Sequence, residues 1–161
     1  MTTIQLPKLS ESELKFAQEL VSKALINNNK EDISESLNIL KKYYDKINPI
    51  LDINGCIPSC GSWTPLTVAA YFNNYRAITT LISLGADVNF SHDNIAYPLH
   101  FAAAKGHEVS VMYLVKAGAD INLRDRNGKS ALMRVAERSD TKKTMLDYFL
   151  NESKQIGRAH V

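Results

Sequence analysis

The sequence predicts an all-α solenoid of about four helix-turn-helix-hairpin units, degenerate at both ends, and three observations carry that reading. Thr64-Pro65-Leu66-Thr67-Val68-Ala69-Ala70 returns 33 residues later as Tyr97-Pro98-Leu99-His100-Phe101-Ala102-Ala103. Gly85-Ala86-Asp87-Val88-Asn89 returns at the same offset as Gly118-Ala119-Asp120-Ile121-Asn122. The composition, 45% hydrophobic and 22% charged over 161 residues, is that of an ordinary folded chain of one domain. A period between about 20 and 50 residues marks stacked repeats, because no single unit buries its apolar face alone.

The first unit, residues 10–54, is expected to be a degenerate cap. Ser10 and Glu13 have capping-box spacing, and Leu14, Ala17, Val21, Ala24 and Leu25 then fall on one helical face. A polar run, Asn27 to Lys30, separates this face from a second one at Ile33, Leu37, Leu40 and Tyr44. Leu51-Asp52-Ile53-Asn54 closes the unit, with extra loop length around Cys56 and Cys60.

Residues 55–89 and 90–122 form the two clear units. Thr64 before Pro65 is a helix start: the hydroxyl can accept an orphan amide, and proline lacks the N–H that would go unpaired at the first helical position. Gly85 and Gly118 suit the left-handed residue that ends a helix. Ala69, Ala70, Ala102 and Ala103 allow close helix approach, while Leu66, Leu81, Leu99 and Leu114 fill the space between units. Residues 123–151 then read as a C-terminal capping unit, opening with Asp125 to Leu132. Its last apolar face is Met145, Leu146, Phe149 and Leu150, with Lys142 and Lys143 on the wet side. No further Gly-Ala-Asp follows, and residues from Asn151 are expected to fray into a tail, 152–161.

These motifs resemble the ankyrin repeat, with its Thr-Pro-Leu-His, Ala-Ala, Gly-His, paired aliphatics and closing Gly-Ala-Asp-x-Asn. Unit 90–122 matches almost throughout, adding Gly106-His107 and Leu114-Val115, and the resemblance covers residues 62–136. It implies a non-catalytic scaffold that binds another protein through hairpin tips and exposed first-helix positions lining a concave groove. By register these are Trp63, Tyr71 and Phe72, then Asp93, Asn94, Ala96, Ala104 and Lys105, then Arg126, Asn127, Lys129, Glu137 and Arg138. The groove would run from aromatic to basic, with Trp63 as an uncovered hot spot at a hairpin tip. Tyr71 and Phe72 carry a competing expectation, as cover for the first unit. His100 and His107 occupy structural motif positions. Asn89 and Asn122 stand in a context resembling that of hydroxylated ankyrin asparagines, set against a plain structural role in the hairpin.

Other functions find little support. A formal charge of +2 is too small for dense phosphate neutralisation, so no nucleic-acid partner is expected. No run approaches the roughly 18 apolar residues that cross a bilayer, so no membrane partner is expected. Cys56 and Cys60, with His92 or His160, would supply only half a zinc site, and a plain loop is the expectation, with no metal and no cofactor. Phosphate-cradling loops, metalloprotease histidine pairs and kinase signatures are absent, so no enzyme is expected. Met1 to Leu9 lacks the pattern of a secretory signal and two cysteines suit a reducing compartment, so the cytoplasm is expected; alone, the chain is expected to be a monomer. The alternatives are a Lys-, Asn- and Ile-rich bacterial effector exported into a host cell, or a regulatory or targeting segment of a larger enzyme.

Overall fold

Three helices begin where the sequence supplies a side-chain cap. The Thr64 hydroxyl accepts the Thr67 amide at 3.1 Å and starts a helix on Pro65. Asn74 does the same for the next helix through the Ala77 amide, and Ser130 for a later one through the Met133 amide. The computed structural model describes residues 11–26, 38, 53–57, 60–61, 63–140 and 143–159. Among these lie seven helices: α1 (Glu11–Ile26), α2 (Pro65–Tyr71), α3 (Tyr75–Ser83), α4 (Pro98–Lys105), α5 (Glu108–Lys116), α6 (Ala131–Ala136) and α7 (Lys143–Ala159). A 3-10 turn spans His92–Asn94.

The helices stack in two layers. In one layer α1 packs on α2, α2 on α4 and α4 on α6; in the other α3 packs on α5, and each short pair closes on itself. Leu66, Leu81, Leu99 and Leu114 are all buried between units, as the repeat pattern requires, and the four motif alanines have no exposed surface. Val21 and Leu25 of α1 join this core, and the Asn74 amide donates to the Leu25 carbonyl at 3.3 Å. The second face expected for the first unit, Ile33 to Tyr44, lies outside the described residues, as do the side chains of Leu14, Ala17 and Ala24.

Asparagines join the units at their hairpins. The Asn54 side-chain Oδ1 accepts the Asp87 amide at 2.9 Å, and that of Asn89 accepts the Asp120 amide at 2.8 Å. Asn89 also donates to the Gly118 carbonyl. At the tips the Arg126 amide donates to the Ile95 carbonyl at 3.0 Å, tying one hairpin to the next.

Two expectations for the C-terminal unit are corrected. Met145 and Phe149 are buried, but Leu150 is 48% exposed and does not belong to the apolar face. The chain from Asn151 to Ala159 does not fray, since α7 continues through it. Register explains this. Gly85 and Gly118 both adopt φ of 96° where their helices end, and Asn151 holds the next such position. A glycine turns left-handed at no steric cost, whereas asparagine followed by Glu152, Ser153, Lys154 and Gln155 can simply carry the helix on.

Candidate protein-binding groove

Two hollows lie between the hairpin tips and the helix layer of α2, α4 and α6. The first, about 320 Å³, is walled by Trp63, Thr67, Ser91, His92 and Cys60 among others. The second, about 300 Å³, is walled by His100, Ala104, Arg126, Asn127 and Arg134. They meet at Ile95, Ala96 and Phe101, which line both, so the two form one groove across three units.

Local sequence places these walls. Val68, Phe101 and Arg134 hold the same position in successive units. Val68 is fully buried, Phe101 is half-buried and Arg134 reaches the second hollow, so the register itself turns the groove from apolar to basic. Phe101 packs on Trp63 at 4.7 Å between ring centroids, and Trp63 on Tyr71 at 4.9 Å. Tyr71 continues to Phe72 at 5.1 Å, and the Lys105 ammonium sits 4.3 Å over the Tyr71 ring.

At the other end Asp125 anchors the hairpin. Its buried carboxylate accepts the amides of Asn127 and Lys129 and pairs with the Arg134 guanidinium. Burial alone would raise this carboxyl, but those bonds outweigh it and hold it below the usual range. His100 fastens the same loop, its Nε2 donating to the Lys129 and Leu123 carbonyls at 3.0 and 3.1 Å. Burial pushes His100 below its ordinary value, so the neutral ring carries its proton on Nε2 and leaves buried Nδ1 without a partner.

The structure divides the sequence-predicted residues. Trp63, Ala96, Ala104, Arg126 and Asn127 line the groove. Tyr71, Phe72 and Lys105 stand beside it in the aromatic cluster. Asn94 lies at the tip with φ of 52°, accepting the Tyr97 hydroxyl at 3.2 Å. Asp93 belongs to the 3-10 turn, its side chain outside the described residues. Lys129 is paired with Glu137, and Arg138 donates to the Ala104 carbonyl and to Asp140, both at 2.7 Å. Trp63 differs from the uncovered tip expected of it, because Phe101 and Tyr71 flank its ring and leave it half-buried.

Sequence reasoning missed Ile95, Phe101 and Arg134. The signal was available in the 33-residue register, where one position changes from Val to Phe to Arg. Both hydroxylation candidates, Asn89 and Asn122, are exposed, and the Asn89 side-chain amide is engaged at both its oxygen and its nitrogen. Near the cysteines, Cys56 is exposed, Cys60 is half-buried, and His92 Nε2 donates to the Asn54 carbonyl at 2.9 Å. His160 lies outside the described residues, among which no three His, Cys, Asp or Glu side chains gather.

The family model described as "Ankyrin repeats (many copies)" matches residues 66–111 and 99–150. The chain is 29% identical over 87 residues to an E3 ubiquitin-protein ligase of Arabidopsis thaliana, covering 54% of this chain and 5% of that protein. It is 39% identical over 72 residues to an E3 ubiquitin-protein ligase of Caenorhabditis elegans, covering 45% and 3%. With a palmitoyltransferase of Candida albicans it shares 34% identity over 74 residues, covering 46% and 9%. The matched region is thus a small part of each of these relatives.

Proposed function

The chain belongs to the ankyrin-repeat family, and from that premise we propose that it is a non-catalytic binding module whose groove holds a segment of a partner protein. Ankyrin repeats generally bind other proteins, and the fold leaves the specificity to side chains at the site. The observation that carries the reading is the continuous groove, in which two hollows of about 320 and 300 Å³ share Ile95, Ala96 and Phe101. Ile95 keeps 39% of its surface exposed there, a large apolar side chain left open beside aromatic walls.

The test fills the junction. Ala96→Arg should abolish capture of the partner while the helical circular dichroism and cooperative melt remain those of the parent chain. Lys116→Glu, on the other helix layer, should leave capture intact. The reverse pattern would move the binding surface to the outer layer.

A second reading follows from the relatives: the module serves as a regulatory or targeting segment of a larger enzyme. It draws support from the small share of each ligase and transferase that the match covers. The cytoplasm is the compartment we assign to either reading, and fractionation of tagged protein tests it.

A further inference from the structure

We infer that the occupant of the groove is an extended peptide segment carrying one large apolar side chain and, about three residues away, one carboxylate; this rests on the groove reading above. The first hollow supplies the apolar half. Its walls include Trp63, Ile95 and Phe101, and its one imidazole, His92, already donates Nε2 to the Asn54 carbonyl.

The second hollow supplies a cation, and the ion pairs identify which one. Lys129 pairs with Glu137, Arg134 with Asp125 and Glu137, and Arg138 with Asp140. Arg126 is exposed, lines the hollow and makes no ion pair among the described residues. A carboxylate arriving there meets a guanidinium fork with no acid to displace, and Asn127 beside it offers an amide. The backbone of Arg126 is already held by the Ile95 carbonyl, so the side chain starts from a fixed root.

Spacing comes from the repeat. Helices of neighbouring units pack about 8 to 10 Å apart, and a chain extended as polyproline II rises about 3.1 Å per residue with three residues per turn, so side chains three apart face the same way. Side chains seated in hollows one unit apart are therefore about three residues apart. The charge falls at one end only, so the segment binds in one polarity along the groove.

Selection of a displayed dodecapeptide library on the full chain tests this. The expected result is enrichment of an apolar residue and an Asp or Glu at that spacing, with binding lost on Ala96→Arg. Arg126→Glu should weaken the selected peptides by about tenfold or more and, on reselection, replace the acid by Lys or Arg. Peptides blocked by Ala96→Arg but indifferent to Arg126→Glu would overturn this inference and leave the groove reading standing. Peptides indifferent to Ala96→Arg would overturn the groove reading itself. A library yielding no binder would also overturn the inference, with the groove then judged by the capture assay above.

Discussion

The Tyr97 ring lies 5.5 Å from that of His100, tilted by 39°, where the preceding unit sets the Thr64 hydroxyl 2.9 Å from that of Thr67. Thr64 also caps its helix, whereas Tyr97 gives α4 no side-chain cap, and His100 Nδ1 is left buried and unpartnered. One residue therefore accounts for two missing hydrogen bonds.

Tyr97→Thr should restore both, since a hydroxyl at that register can accept an α4 amide and donate to Nδ1. An N-cap contributes roughly 0.5 to 2 kcal/mol and relief of a buried orphan about 1 to 3. The lost ring contact and the Tyr97–Asn94 bond offset part of this. The expected net gain is about 1 kcal/mol, seen as a higher urea midpoint with unchanged slope. A lower midpoint would mean that the ring contact outweighs the two bonds.

Stability should fall as the pH drops below about 6.5, the ordinary histidine value. Burial is the main cause holding both His100 and His107 below it. At His100 the two backbone bonds and Asp125 oppose burial while Arg134 assists it; at His107 the bond to the Tyr71 carbonyl opposes, and Lys105 and Arg138 assist. The unfolded chain then takes up protons that the folded chain refuses, so the loss runs from about 6.5 down through the lowered folded values. Asp125, also lowered, adds a further loss of the same sign in the carboxylate range. Urea midpoints between pH 7.5 and 5 check this, and His107→Gln should make the decline shallower. A flat profile would contradict it.

The parts of the fold that were legible in the sequence are those set by backbone need. Pro65 and Pro98 open helices, Gly85 and Gly118 end them, and Leu99 and Leu114 repeat at a spacing only stacking explains. The groove was less legible because its walls depart from the motif: Phe101 stands where Val68 is core, and Arg134 where both are apolar. The basic residues misled for another reason. Lys129 meets Glu137 eight positions away, and Arg138 reaches Ala104 across 34, pairings that charge alone does not reveal.

Arg138 acts as a lid on a helix end. Its guanidinium donates to the Ala104 carbonyl and lies against Gly106, whose φ is 76°. A Cβ at Gly106 would meet Arg138 Cζ at 2.8 Å. Gly106→Ala should therefore cost more than the roughly 1 to 2 kcal/mol of left-handed strain alone, and Arg138→Ala about 1 kcal/mol for the lost bond. The double variant should cost less than the two together, since removing the guanidinium removes the clash. A double-mutant cycle measures the difference, and strict additivity would refute the contact.

Asn151→Gly should shorten α7. With a glycine restored to the register of Gly85 and Gly118, the helix gains the left-handed exit that those units use. Helical circular dichroism should fall, and amide exchange between residues 152 and 159 should quicken while the core stays protected. Unchanged protection there would show that the residues after Asn151, rather than Asn151 itself, keep the helix going.

The asparagine links run one way along the chain. Asn54 receives the Asp87 amide and Asn89 the Asp120 amide, so in both links the side-chain oxygen belongs to the earlier unit and the amide to the next hairpin. The ribosome delivers the units in that same order. Each of these two hairpins emerges beside a neighbour that already presents its acceptor, so this part of the solenoid can set unit by unit as it is made, each finished piece acting as the mould for the next.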